Sequence, residues 1–425
     1  PRPGVRTTFM NRVALAAPAG REFAATLHAC IRIGAVFVPL PPRAPGAVLS
    51  KLVGDSRPKV TLPAGWLDRA SAQHARVPAR QPGADDDVCV LYTSGTTGPP
   101  KGVRLTLGNH VASATGCAEA LGGLRAEDRW LLTLSPHHVG GLAILLRSVI
   151  GGQAGAAVPR FDEDVVLAVI EAGVTVASMV PTMVVRLLER GGLTALRRPR
   201  AILLGGAPAP LRMLRAWREL GIAVLPTYGL TETCSQVATA AIGGVADTRL
   251  VPHSQATVRT RRRGGGTGPC GTGEVGEIVV SGAVLSPGYV TGTTAGFSAE
   301  RHSFDTGDLG TIDDLGRLTV IGRGDDTIIT GGENVHPVEV EATLMEHPAV
   351  RDAAVWGRPD ARLGSVLEAL VVTADAGPEE LRAWCAGRLE PAKVPRRFVN
   401  VVELPRNSGG KLLRDRLPIA TQVSP

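Results

Sequence analysis

At 425 residues the chain exceeds what one ordinary hydrophobic core organises, so two domains are expected. Its 44% hydrophobic and 20% charged residues are those of a soluble globular protein, and Arg147 and Glu171 break the apolar runs well short of the roughly 18 residues a bilayer span needs. The net charge of +7 comes from arginine, yet only 4% of residues are aromatic and no nucleic-acid module is legible, which excludes a nucleic-acid partner.

Six scattered cysteines (Cys30, Cys89, Cys117, Cys234, Cys270, Cys385) contain no C-x-x-C pair, so neither a zinc site nor a disulfide framework is indicated and free thiols are expected. The start, Pro1 to Gly4, lacks the basic, apolar, small-residue order of a secretory signal, and a cytoplasmic location is the default expectation.

In chain order, the first informative stretch is Val88–Leu91, apolar and partly β-branched, which reads as a buried strand. Tyr92 to Gly102 follows it. Glycines such as Gly95 let backbone approach an anion and turn N–H groups inward. Thr93, Ser94, Thr96 and Thr97 add hydroxyl donors, and Lys101 adds a compact positive charge. Such a loop suits a polyphosphate. It is not a Walker A loop, since Gly102 rather than Ser or Thr follows Lys101. A helical pattern then opens near Thr106.

From Asp87 to Pro226 strands and amphipathic helices alternate. Trp130–Leu134 precedes a helix beginning near Gly141; Val174–Met179 precedes one beginning near Pro181; Ala201–Leu204 precedes one over about Pro208–Leu220; Ile222–Leu225 is a further strand. That order predicts a parallel sheet covered by helices, with ligands at the strand carboxyl ends. Thr93–Gly102, Gly205–Pro208 and Tyr228–Thr233 each follow such a strand and can meet in one cleft.

After Ala240, short strands such as Glu277–Val280 and Leu318–Ile321 between Gly- and Pro-rich links predict a β subdomain. The basic run Arg259, Arg261, Arg262, Arg263 reads as a solvated loop. Beyond Asp325 lies a compact α+β unit with helices over Val338–Glu346 and Pro378–Leu389 and strands over Val350–Trp356 and Leu367–Val372. The expected fold is α/β: a large N-terminal domain over 1–323 of helix-covered sheets plus the β subdomain, and a small mobile α+β C-terminal domain over 326–425.

Five segments recur to the eye as chemically loaded: the Thr93–Gly102 loop, Tyr228-Gly229-Leu230-Thr231-Glu232-Thr233, Phe304-Asp305-Thr306-Gly307-Asp308, Gly322-Arg323-Gly324-Asp325-Asp326, and Pro405 to Lys411. In this order, and over nearly the whole chain, they resemble the adenylate-forming superfamily of acyl-CoA synthetases, luciferases and peptide-synthetase adenylation domains. The resemblance implies a reaction in which a carboxylate attacks the α-phosphorus of ATP, an encounter of two anions that requires neutralisation and alignment.

By that resemblance Glu232 helps hold Mg²⁺, Thr231 contacts the α-phosphate, and Thr93 to Thr97 with Lys101 grip the departing pyrophosphate. Gly205, Gly206, Ala207 and Pro208, with Tyr228 and Gly229, wall the adenine slot. Asp308 and Arg323 suit the ribose hydroxyls, the plainer alternative being a structural ion pair. Asp325 falls at the hinge. Lys411 bridges carboxylate and α-phosphate during adenylation, after which the Gly331-Gly332 face arrives to line a tunnel for coenzyme A. His138 takes the position that gates the acyl pocket, with packing alone as its plainer alternative.

Within the superfamily the nearest likeness is to the o-succinylbenzoate–CoA ligases of menaquinone biosynthesis, on His138-Val139-Gly140-Gly141-Leu142, Arg147 to Ile150, Thr231 to Gln236 and Gly331 to Val335. A substrate with a second carboxylate needs a cation or several donors in its pocket. Arg147, two turns beyond Gly140, is the candidate, with Ser235 and Gln236 as further donors; a helix-surface arginine is the alternative. Other aryl or medium-chain acyl-CoA synthetases, a standalone adenylation enzyme loading a carrier protein, and a non-catalytic nucleotide binder remain as rivals, and a homo-oligomer stays open. Three departures from the family stand out. A strand and helix that usually precede Asn11–Leu15 are expected to be missing, His137 replaces a more usual aromatic, and a glycine-proline turn is absent around Asp247–Thr257.

Overall fold

The computed structural model describes residues 11–69, 80–93, 100–244, 247–262, 268–291, 296–298, 302–406 and 412–417. Five strands, β1 (Arg12–Leu15), β2 (Val36–Pro39), β3 (Val60–Leu62), β4 (Asp87–Thr93) and β5 (Lys101–Thr106), form a first sheet in the order β3-β1-β2-β4-β5. Seven more, β6 (Arg129–Leu132), β7 (Ala154–Ala157), β8 (Val176–Met179), β9 (Ala201–Leu204), β10 (Val224–Leu230), β11 (Ser235–Thr239) and β12 (Val251–Pro252), form a second in the order β12-β11-β10-β9-β8-β6-β7. Neighbours among β6 to β10 are parallel, as the helical crossovers between them require.

One expectation needs correction here. The strands after Asp87 do not form one parallel sheet, because β4 belongs to the first sheet and β9 and β10 to the second. The helix expected to open near Thr106 does so, spanning Leu107–Ala120 with Thr106 as its N-cap. Before it stands a strand the sequence reading did not name, β5, which pairs antiparallel with β4, Thr93 facing Lys101. The apolar residues Val103 and Leu105, alternating with more polar neighbours, were the strand signal in that stretch.

The helix Val139–Gly151 is apolar almost all round and is covered along most of its length, with Val149 and Ile150 of its last turn exposed. Its Leu142 and Leu146 pack with Phe37, Cys89 and Leu105 of the first sheet, while its Ile144 packs with Trp130 and Leu132 of the second. It therefore lies between the sheets, beside the helix Leu107–Ala120, whose Cys117 joins the second cluster. The latter helix is fixed at its start by a Thr106/Asn109 capping box. The Asn109 side chain also donates to the carbonyls of Ala283 and Leu285, pinning this helix to a distant segment.

The third sheet is antiparallel: β13 (Ala256–Arg261), β14 (Gly276–Gly282), β15 (Phe297–Ser298), β16 (Ser303–Ile312) and β17 (Leu318–Arg323). The arginines read as a solvated loop are partly structural. Arg261 closes β13 and pairs with Glu277 and Asp305, each at 2.9 Å, and Arg262 pairs with Glu274 at 2.9 Å. Arg263 lies outside the described residues.

The last unit contains the hairpin β18 (Ile328–Thr330) and β19 (Glu333–Val335), then β20 (Val350–Asp360), β21 (Gly364–Thr373) and β22 (Arg397–Asn400) in one sheet. The helices Pro337–Met345 and Pro378–Ala386 carry Val340, Leu344 and Leu381 onto Val355, Ala369 and Val371 in a separate core, against which Met213 also packs. Among the described residues no helix is long and apolar enough to cross a membrane.

Candidate active site

One corner of the site forms where the second and third sheets meet. Gly205 to Pro208 follow β9, whose Leu204 pairs in parallel with Pro226 of β10. Gly206 takes a left-handed φ of 77°, which favours glycine. Two residues along β10, Tyr228 donates to Asp308 Oδ2 at 2.7 Å, and Arg323 lies 3.3 Å from Asp308 Oδ1. Asp308 and Arg323 are direct cross-strand partners on β16 and β17, so the ladder itself sets their distance. Arg323 also donates to the Thr306 carbonyl at 2.9 Å. Burial, then the charge of Asp308, pushes the Tyr228 phenol well up, so it remains a donor.

A second corner is built around Tyr289. Its hydroxyl donates to Glu232 Oε1 at 2.9 Å, and the Lys101 ammonium stands 5.5 Å from its ring centroid. The segment carrying Tyr289 is laced to β5: Val290 donates to the Gly102 carbonyl at 2.8 Å, and Arg104 to that of Gly288 at 3.0 Å. Lys101 and Glu232, far apart in sequence, thus reach one place. Ser94, Gly95, Thr96 and Thr97 lie outside the described residues.

Glu232 sits in the turn between β10 and β11, which is tightly folded. Cys234 and Ser235 have φ of 53° and 90°, unusual for residues with side chains. A Cβ at Gly229 would stand 1.8 Å from the Ser235 carbonyl oxygen, so only glycine allows this closure. Thr231 opens the turn, its carbonyl accepting from Cys234 N at 3.0 Å. Glu232 is buried and, among the described residues, receives the one neutral hydroxyl of Tyr289 and no cation. A carboxylate so placed fits a hard divalent ion such as Mg²⁺.

A third corner lies between the first two sheets. His138 occupies the N-cap position of the helix Val139–Gly151, its ring 4.3 Å from that of His137. Burial lowers the pKa of both. His137, with His138 beside it, falls to about 4. Arg147 is 3% exposed, so it is not a surface arginine. It donates to Gln236 Oε1 at 2.5 Å and to Ser113 Oγ at 3.1 Å, its Nε is buried without a partner, and no carboxylate pairs with it among the described residues. Ser235 is buried beside Gln236 at the start of β11.

Close by, His110 bridges two thiols, Cys89 Sγ at 3.4 Å from Nε2 and Cys234 Sγ at 3.2 Å from Nδ1. Burial and the charge of Arg147 hold this imidazole down to about 3, and burial pushes Cys234 up to about 12. A neutral ring here ties β4, the helix Leu107–Ala120 and the Glu232 turn together.

Asp325 is exposed, with its carboxylate 3.4 Å from Arg323, and its neighbour Asp326 pairs with Arg414 at 3.0 Å. Gly331 and Gly332 form the exposed tip of the β18–β19 hairpin, both at positive φ. Lys411 lies outside the described residues. Sequence reasoning missed Tyr289, His110, Ser113, Thr239 and His253; Tyr289 follows Pro287-Gly288 in a glycine-rich stretch that was available as a signal, while the other four sit in no glycine-rich or charged motif. For His110 and Ser113 the available signal was polar residues inside an otherwise apolar helix.

In this fold of two helix-separated sheets, an antiparallel third and a compact α+β unit, Glu232 and Lys101 meet at Tyr289 and Asp308 pairs with Arg323; the family match and relatives that follow place the chain among AMP-forming acid–thiol ligases. The family profile described as AMP-binding enzyme matches residues 8–290, and that described as AMP-binding enzyme C-terminal domain matches 339–411; the chain belongs to the AMP-binding enzyme family. It is 37% identical to the 2-succinylbenzoate–CoA ligase of Bacillus licheniformis, over 93% of this chain and 87% of the relative. To that of Bacillus velezensis it is 42% identical, over 78% and 69%. Among solved structures, Bacillus subtilis o-succinylbenzoate CoA synthetase (MenE) in complex with the acyl-adenylate intermediate OSB-AMP matches with TM-score 0.84 at 34% identity, covering 96% of this chain and 88% of that one. ATP-bound MatB from Rhodopseudomonas palustris matches with TM-score 0.89 at 28% identity, covering 97% and 88%.

Proposed function

We propose that this chain is an ATP-dependent, AMP-forming acid–CoA ligase whose acid is 2-succinylbenzoate, acting in menaquinone biosynthesis. In the first step a carboxylate oxygen of the succinyl chain bonds to the α-phosphorus of ATP and pyrophosphate leaves. In the second, the thiol sulfur of coenzyme A bonds to the acyl carbon, its proton is lost and AMP departs with the oxygen it gained. Similarity to 2-succinylbenzoate–CoA ligases over most of the chain supports the reaction.

Tyr228, Asp308 and Arg323 hold the ribose, with Gly205 to Pro208 against the base. Lys101, with the hydroxyl-rich loop before it, takes the pyrophosphate, and Thr231 the α-phosphate. Glu232 holds Mg²⁺, which when bound neutralises phosphate charge. Lys411 is brought to the carboxylate by the C-terminal domain, which turns about Asp325 between the two steps; Gly331 and Gly332 then face coenzyme A and His138 separates it from the acid.

The single observation that carries the choice of acid is the Arg147 guanidinium. It is enclosed with two neutral acceptors and, among the described residues, no counter-ion, on the helix that starts at His138 and against the strand that follows Glu232. A buried cation without an anion is expensive unless the ligand supplies one. The ring carboxylate of 2-succinylbenzoate does so, with Ser235 as a further donor. Pyrophosphate release across a panel of carboxylic acids, with and without coenzyme A, tests this. Preference for 2-succinylbenzoate with a coenzyme A thioester as product is expected. Preference for a monocarboxylic acid, or an acyl-adenylate that coenzyme A does not discharge, overturns it.

A further inference from the structure

Arg147 is the first link in a buried chain that runs away from the site. An arginine can only donate, so the Gln236 atom facing it at 2.5 Å is the amide oxygen, and the amide nitrogen turns outward to donate to Thr239 Oγ1 at 3.2 Å. The Thr239 hydroxyl oxygen, accepting from Gln236, also meets His253 Nε2 at 2.9 Å, where the hydroxyl donates to the ring nitrogen or the ring N–H donates to the hydroxyl according to the tautomer. His253 Nδ1 is buried without a partner. Arg147, Gln236, Thr239 and His253 are all at most 6% exposed.

Burial, with the charge of Arg147, holds the His253 pKa down to about 4, in keeping with a neutral ring. The helix Leu107–Ala120 makes room for this ring with Gly116, where an added Cβ would stand 2.8 Å from His253 Cβ. His253 lies in the Asp247–Thr257 stretch that departs from the family pattern. An apolar side chain there would leave no orphaned buried nitrogen, so packing alone does not account for a histidine.

We infer that His253 is a positioning residue for acid selectivity: at the end of the His253–Thr239–Gln236–Arg147 chain, it holds the Thr239 hydroxyl against the Gln236 amide and thereby aims the Arg147 guanidinium at the second carboxylate of the acid. This rests on the reading of Arg147 given above. Removing His253 takes away the partner that holds the Thr239 hydroxyl, so the Gln236 amide nitrogen loses a fixed acceptor and the Arg147–Gln236 pair loosens.

The test measures the ratio of kcat/KM for 2-succinylbenzoate to that for 4-oxo-4-phenylbutanoate, which lacks the ring carboxylate, in the full chain and in His253→Leu, Thr239→Val, His253→Gln and Arg147→Gln variants. Loss of one neutral hydrogen bond in the chain is expected to lower the ratio about three- to tenfold in His253→Leu and Thr239→Val, through KM for the dicarboxylate. His253→Gln, which returns an acceptor near the Nε2 position, is expected to restore the ratio. If Arg147→Gln lowers the ratio while His253→Leu and Thr239→Val leave it unchanged or depress both substrates alike, the positioning role is wrong and the reading of Arg147 stands. If Arg147→Gln itself leaves the ratio unchanged, the reading of Arg147 fails and the inference falls with it.

Discussion

Tyr289 and Glu232, 57 residues apart, are joined by a 2.9 Å hydrogen bond, and the same phenol ring carries the Lys101 ammonium 5.5 Å above it. Burial, then the charge of Glu232, pushes the phenol pKa up, so Tyr289 remains a donor that steadies the carboxylate without neutralising it. Glu232→Gln is expected to lower kcat/KM about a hundredfold or more and to raise the Mg²⁺ concentration for half-maximal rate. Tyr289→Phe removes one hydrogen bond and is expected to cost about fivefold. A Mg²⁺ titration of initial rates in both variants checks the difference.

The cross-strand pair Asp308–Arg323, with Tyr228 on the other carboxylate oxygen, predicts that the ribose is read by its hydroxyls. Asp308→Ala is expected to raise KM for ATP about tenfold to a hundredfold, the worth of one or two charge-assisted hydrogen bonds. With 2′,3′-dideoxy-ATP the wild type and the variant are expected to converge. Unequal rates with the dideoxy nucleotide would assign Asp308 a structural role instead.

Arg147 sets function against stability. Arg147→Met is expected to cost about a hundredfold in kcat/KM for 2-succinylbenzoate, the usual penalty for one charged donor lost from a desolvated site. Its effect on folding is expected to stay within about 1 kcal/mol, because removing an unpaired buried charge offsets the hydrogen bonds lost by Gln236 and Ser113. Thermal unfolding beside steady-state kinetics separates the two.

His110 and His253 titrate at about 3 and about 4 in the folded chain, each depressed first by burial and then by the charge of Arg147. Both take up protons more readily when unfolded, near pH 6.5, so the stability they contribute is full above that value and is lost as pH falls toward 4. Unfolding midpoints in denaturant should decline over this window, by up to about 1.4 kcal/mol per pH unit for each group. Replacing either histidine by an apolar residue should flatten the decline.

The roles proposed for the two halves of the reaction separate at Lys411. Lys411→Ala is expected to slow acyl-adenylate formation about a hundredfold or more while leaving thioester formation from supplied acyl-adenylate within a few-fold of the parent. Single-turnover assays of each half distinguish this from a general loss of fold.

The fold class and the alternation of elements were legible because period and punctuation survive in sequence. Ala201–Leu204 is the strand predicted, and the helices at Pro181 and Pro378 begin where proline at the first position says they should. What the pattern could not give was which sheet a strand joins, since β4 and β9 have the same apolar character and differ only in tertiary partners. Asp308 and Arg323 were singled out by their motifs and side-chain chemistry, but that they face each other across β16 and β17 is a matter of register that only the structure shows. Tyr289 and His253 were not singled out, because their importance comes from contacts with residues far off in sequence, and nothing local says which residues a tyrosine or histidine will reach.

The account's central claim, that a carboxylate attacks the α-phosphorus of ATP before coenzyme A attacks the acyl carbon, is tested most directly by isotope tracing. 2-Succinylbenzoate labelled with ¹⁸O in its succinyl carboxylate would be turned over with Mg-ATP and coenzyme A, and the products weighed by mass spectrometry. The account predicts one ¹⁸O atom in the phosphoryl group of AMP and none in pyrophosphate. Label in pyrophosphate, or AMP that forms without it, would contradict the account.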